Sequence, residues 1–85
     1  MIFDLLREKG YMGPNELIRV NEWLKTIDVN IIVTQITTDG NESFYAEISF
    51  PPHTSRFTGE IYNSIDDAVE VLLYKYIDYI PFKNN

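Results

Sequence analysis

The stretch Val29-Asn30-Ile31-Ile32-Val33-Thr34-Gln35-Ile36-Thr37-Thr38-Asp39-Gly40-Asn41-Glu42-Ser43-Phe44-Tyr45-Ala46-Glu47-Ile48-Ser49-Phe50 decides the fold of this 85-residue chain. Its first part is dominated by β-branched residues with no turn chemistry inside, which predicts a strand over about residues 29–38. Asp39-Gly40 is then the strongest short hairpin signal a sequence can carry, because a type I′ turn needs positive φ at both central residues. A two-residue loop sets Thr38 opposite Asn41, and therefore Val33 opposite Ala46, Ile31 opposite Ile48 and Val29 opposite Phe50. One face becomes almost wholly apolar. A four-residue loop would move the pairs by two and keep the same parity, so the face assignment survives either choice. Phe44, Ala46, Ile48 and Phe50 alternate with Tyr45, Glu47 and Ser49, giving a second strand over about 43–50 with one buried side.

Downstream, Pro51-Pro52 ends the second strand, since neither residue can donate to a ladder. His53-Thr54-Ser55 completes a tight connection to a third strand over about 56–62. There the alternation turns Phe57, Gly59 and Ile61 toward the core and Arg56, Thr58, Glu60 and Tyr62 away from it, with Gly59 allowing the last helix to approach closely. Ser64-Ile65-Asp66-Asp67 is a helix start, Ser64 accepting from early amides and two carboxylates sitting at the positive end of the dipole. Ala68, Val69, Leu72, Leu73, Tyr76, Ile77 and Ile80 follow at helical spacing, Pro81 closes a helix over about 64–80, and Lys83-Asn84-Asn85 frays.

Upstream, Ile2, Phe3, Leu5 and Leu6 predict a short helix over about 2–9, ended by Gly10 in a left-handed conformation. Gly13-Pro14-Asn15-Glu16 reads as a second start, with Pro14 at the first helical position and Glu16 reaching back. Leu17, Val20, Leu24 and Ile27, with Trp23 beside them, form the stripe of a helix over about 14–27, which Asp28 ends. The expected fold is α+β and a single domain over 1–85: a three-stranded antiparallel sheet with three helices packed on one face.

Hydrophobic residues make up 45% of the chain, enough for a core and too many for disorder. Thirteen acids against seven bases give a net charge of −6, the wrong sign for neutralising phosphates, so direct nucleic-acid binding is not expected. Residues 1–27 hold four of each sign, so the whole excess lies in the sheet and last helix. There is no cysteine, hence no disulfide, thiol nucleophile or cysteine zinc site. No apolar run has the length of a membrane span and Met1 opens no signal-peptide pattern, which suggests a cytoplasmic protein with no membrane partner.

Catalytic chemistry is sparse. His53 is the only histidine, without acidic neighbours, while metal sites need three or four convergent ligands. Ser55 beside His53 lacks an orienting third group and oxyanion donors. Asp66 and Asp67, adjacent on a helix, point about 100° apart and suit capping. The four glycines form no phosphate loop. A non-enzyme without cofactor or metal is the expectation.

A binding role is better supplied. The outward side of the expected sheet carries Ile32, Thr34, Ile36, Tyr45, Glu47, Thr58, Glu60 and Tyr62, rigid aromatic and aliphatic area among acids. The last helix adds Asp66, Asp67 and Glu70 with no base among them. The candidate protein-binding residues are therefore Ile32, Ile36, Tyr45, Glu47, Glu60, Tyr62, Asp66, Asp67 and Glu70. The bland alternatives are a half-polar sheet surface and a solvated acidic face. Burying the outward face in a homodimer, or adding a chain along an open strand edge, would satisfy the same pattern. Tyr74, Tyr76 and Tyr79 form a second aromatic cluster, Tyr76 on the buried stripe.

The strand Phe44-Tyr45-Ala46-Glu47-Ile48-Ser49-Phe50-Pro51, the Phe57-Thr58-Gly59-Glu60 step and the helix start Ser64-Ile65-Asp66-Asp67-Ala68-Val69 resemble the sheet-then-helix unit of HicB-type antitoxins and of small phage and prophage proteins. The likeness spans residues 44–73. It implies a non-enzymatic inhibitor of a nuclease toxin or a defence effector. The chain departs from HicB in opening with helices and in carrying no separate DNA-binding domain, so transcriptional autoregulation is not implied. The helix-strand-strand-strand-helix order also resembles the double-stranded-RNA-binding fold, yet Asp66 and Asp67 stand where that family places basic residues, so RNA binding is not implied. The expected function is binding and blocking of a basic, nucleic-acid-handling protein, with a self-associating structural or assembly protein and an antitoxin or immunity protein as alternatives.

Overall fold

Asp39 and Gly40 take φ values of 51° and 79°, the two positive values a type I′ turn demands. In the computed structural model, which describes residues 1–52, 54–57 and 60–81, this turn joins β1 (Asn30–Thr38) to β2 (Asn41–Phe50). The register is the expected one: Thr38 opposite Asn41, Val33 opposite Ala46, Ile31 opposite Ile48. β3 (Thr54–Phe57) pairs antiparallel with β2, giving the sheet order β1-β2-β3. The helices are α1 (Ile2–Glu8), α2 (Leu17–Thr26) and α3 (Ile65–Tyr76), the last running into a 3-10 turn at Ile77–Tyr79.

α3 lies across β2 and β1, α2 leans on β1 and α3, and α1 packs on α3. Between them Val20, Leu24, Ile48, Leu72 and Leu73 are wholly removed from solvent. Burial of each such side chain is worth about 1.5–3 kcal/mol, the main return a domain this small can set against chain entropy. No polar or charged side chain among the described residues is fully buried. The hairpin runs on past this core, and its tip from Thr37 to Glu42 is exposed.

α1 and α2 end in the same way. After α1, the Gly10 amide donates to the Arg7 carbonyl and the Tyr11 amide to that of Leu6; after α2, Asp28 donates to Lys25 and Val29 to Leu24. Both are Schellman motifs, in which a positive-φ residue turns the chain and the next residue packs back on the helix. Gly10 (φ 109°) fills that position in the first, Asp28 (φ 62°) in the second. A β-carbon is disfavoured there, and a carboxylate at a helix C-terminus faces the negative end of the dipole. Asp28→Gly should therefore raise stability by about 0.5–1 kcal/mol, read as a higher urea midpoint at unchanged m-value.

Three expectations are corrected. α2 begins at Leu17, three residues later than Pro14, with Glu16 as an N-cap in extended conformation and no side-chain cap. The reason is local: Pro14 accepts from the Tyr11 hydroxyl and the Glu16 amide, and Arg7 holds Gly13 and Asn15, so residues 13–16 are fixed as a turn. At the other end, the α-helix expected to Ile80 tightens to 3-10 geometry at Ile77 before Pro81.

The third correction bears on the surface. β3 starts at Thr54 and faces the opposite way from the expectation. Phe50 pairs with Thr54, Ile48 with Arg56 and Glu47 with Phe57. Arg56 thus shares the helix-covered face with Ile48, and Phe57 shares the outer face with Glu47. The three residues between Phe50 and Thr54 fix this parity, and apolar alternation yields to it. The inward arginine is tolerable on an edge strand because its guanidinium lies 4.6 Å from the ring centroid of Tyr79. Past the ladder, Tyr62 exchanges both backbone hydrogen bonds with Phe44 and packs against the core, so it belongs to the inner side. The expectations placed on His53, Thr58, Gly59 and the Lys83-Asn84-Asn85 tail lie outside the described residues.

Candidate protein-binding surface

The outer face of the sheet is built by the period of two. Along β1, Ile32, Thr34 and Ile36 point away from the helices; opposite them on β2 stand Glu47, Tyr45 and Ser43. Phe57 completes the row that begins with Ile32 and Glu47. Ile32, Phe57 and Ile61 are each 58% exposed, unusual for large apolar side chains drawn together on one face. Ile36, Tyr45, Glu47, Phe57, Glu60 and Ile61 line an open groove of about 420 Å³ on this face. Its apolar floor is bordered by two carboxylates, with no basic side chain among the described residues that line it. The Tyr62 hydroxyl donates to Glu60 Oε2 at 2.9 Å and holds that carboxylate at the rim.

The scaffold beneath the groove is tied down by aromatics. The Tyr76 hydroxyl of α3 donates to the Phe57 carbonyl at 2.9 Å, so the last helix anchors the end of β3. Tyr79 stacks near Phe50 and Tyr76, both centroids 5.8 Å away, and carries Arg56 above its ring. Phe57 is thereby presented from a backbone fixed on both sides. Tyr76 and Tyr79 act as supports, although Tyr79, like Tyr74 on α3, keeps one side exposed.

Of the sequence-predicted residues, the structure brings Ile36, Tyr45, Glu47 and Glu60 together around one groove, with Ile32 on the same face. Tyr62 is the correction: it reaches this site only through its hydroxyl. Asp66, Asp67 and Glu70 stand apart on the helical side of the molecule. Asp67 closes the cap, its amide donating to Ser64 Oγ at 3.1 Å. Asp66 borders a second groove, of about 330 Å³, between Leu17 and Ile18 of α2, Ile31 and Val33 of β1, and Val69 of α3. Ile18 is 68% exposed on its rim.

The expectation missed Phe57 and Ile61, which an inward-facing third strand would have hidden. For Phe57 the signal was present in the loop: counting residues from Phe50 to Thr54, rather than following hydrophobicity, turns it outward. Among the described residues no cluster of His, Asp or Glu has the makings of a metal site, and no helix is long and apolar enough to cross a membrane. A search of family models, curated proteins and solved structures found no match to this chain, and what it does is to be read from these two surfaces.

Proposed function

We propose that this chain is a non-enzymatic interaction protein that binds and blocks a basic, nucleic-acid-handling protein through the outer face of its sheet. The observation that carries the reading is the groove itself: exposed Phe57 and Ile61 beside Tyr45 and Ile36, flanked by Glu47 and Glu60 on a chain of charge −6. Apolar anchors on a rigid sheet set residence time, and the acidic rim steers a cationic partner and disfavours nucleic acid itself. The likeness of residues 44–73 to HicB-type antitoxins and small phage proteins agrees with such a partner, a nuclease toxin or a host-defence effector. The protein acts by occupancy, covering a surface that would otherwise hold phosphates.

The test is comparative capture from bacterial lysate by the parent chain and by Phe57→Asp, whose side chain is exposed and leaves the core untouched. A basic nucleic-acid-binding protein should be retained by the parent and bound about 30-fold more weakly by the variant, the loss typical of a hot-spot anchor. Retention should fall as salt is raised, and Glu47→Lys with Glu60→Lys should reduce its salt dependence. Equal capture by parent and Phe57→Asp, or enrichment of no basic protein at any salt, would sink the reading.

A further inference from the structure

The two edges of the sheet are protected very differently. β3 is four residues long, follows Pro51-Pro52 and carries Arg56, all devices that discourage a further strand. β1 runs nine residues, Asn30–Thr38, with no charge, no proline and no glycine, in a chain where charged residues make up 24%. Because Thr38 and Asn41 close a two-residue turn as a hydrogen-bonded pair, the even-numbered residues of β1 spend their backbone groups on β2. The N–H and C=O groups of Ile31, Val33, Gln35 and Thr37 therefore face the open side. None of them enters the backbone hydrogen bonds formed outside the ladders of the described residues.

We infer that β1 pairs antiparallel with β1 of a second copy of this chain, making one continuous six-stranded sheet. The strand is self-complementary about Thr34. Val33 then meets Gln35 of the second copy and Ile31 meets Thr37, each such pair exchanging two hydrogen bonds through groups that no backbone bond among the described residues uses. Ile32 faces Ile36 of the second copy across the outer side, so the outer residues of one copy stay on the outer side of the other and the helices of both remain on the inner side. No acid lies in the strand, so two molecules of charge −6 meet along the one long segment where neither brings a charge. Ile31 and Val33 also floor the groove beside α2, and an added strand extends that floor under the exposed Ile18. This surface meets the groove at Phe57 only at Ile36 and leaves Phe57, Glu60 and Ile61 open.

Sedimentation equilibrium of the full chain should give a mass twice the 10.0 kDa of one chain, with association strengthened by added salt as like charges are screened. Binding of a basic partner has the opposite salt dependence, so failure of one proposal leaves the other standing. Gln35→Pro removes an N–H that β2 does not use, and Thr34→Lys sets two like charges face to face at the dyad while remaining solvated in the single chain. Both should yield monomers with unchanged circular dichroism, whereas Phe57→Asp should remain dimeric. In the parent, the amides of Ile31, Val33, Gln35 and Thr37 should be protected from hydrogen exchange, and in Thr34→Lys they should exchange freely. A parent monomeric at every concentration and salt, free exchange of those amides in the parent, or a dimer persisting in Thr34→Lys would overturn the inference.

Discussion

Leu72→Ala should lower the stability of this domain by about 3 kcal/mol and its melting midpoint by roughly 10–20 °C. Leu72 is 0% exposed and lies on the face of α3 that covers β2 and β1, in one core with Ile48 and Leu24. Truncation removes its transfer free energy and leaves a cavity, since α3 cannot sink to fill the space. One end of that helix is fixed by the Ser64 cap, the other by the Tyr76 hydroxyl on the Phe57 carbonyl. A chain of this size has total stability of about 4–13 kcal/mol, so a single such change removes a large share. Urea unfolding checks it, the midpoint falling at unchanged m-value. Ile32→Ala, on the exposed outer face, should stay within about 0.5 kcal/mol of the parent. A Leu72→Ala cost below that of Ile32→Ala would mean that α3 does not seat on the sheet as described.

The hairpin was legible because two independent signals agree on it. The Asp39-Gly40 turn fixes the register locally, and the alternation of Phe44, Ala46, Ile48 and Phe50 fixes the buried face over a longer range. The Ser64 cap was legible for a similar reason, since a capping side chain and first-turn acids both point to one helix start. β3 was misread where the two kinds of signal disagree. Alternation argues for burying Phe57 and Ile61, but the parity of β3 is set by the connection from Phe50 to Thr54, and connection length is a weak signal beside large apolar residues at alternate positions. The cost of that arrangement, an inward arginine, is offset by Tyr79, a residue far along the chain and invisible to any local window. The outer groove thus owes Tyr45, Glu47 and Ile36 to readable alternation, and Phe57 and Ile61 to a non-local compensation. The late start of α2 has the same character, for Pro14 is a good first helical residue until the Tyr11 hydroxyl and the Glu16 amide claim its carbonyl.

Tyr11→Ala should be the most damaging change outside the helix-sheet interface, costing about 3–5 kcal/mol. Nothing in the periodicity of α1 or α2 singles Tyr11 out, yet it is only 3% exposed. The signal lies one residue before it: Gly10 in the turning position of a Schellman motif calls for an apolar residue next, packed back on the helix, and Tyr11 meets Leu6 there. Its ring sits 5.6 Å from that of Trp23 at 58°, joining the end of α1 to α2. Gly13 lies so close beneath it that a β-carbon there would come within 2.6 Å of the hydroxyl oxygen and 2.8 Å of the ring. Tyr11→Phe separates the hydroxyl from the ring and should cost only about 0.5–1.5 kcal/mol, because the Pro14 carbonyl still accepts from the Glu16 amide at 2.8 Å. The two variants also differ in alkaline solution. Burial pushes the Tyr11 phenol above its ordinary pKa, an effect that Arg7 and Arg19 oppose and Glu16 and Glu22 reinforce. A phenol harder to ionise when folded gives up its proton first in the unfolded chain, so its contribution is complete below pH ~10 and is lost as the pH climbs past that value. The parent should accordingly lose stability faster than Tyr11→Phe above pH ~10, and equal alkaline slopes in urea titrations of the two would show that the phenol is not buried as described.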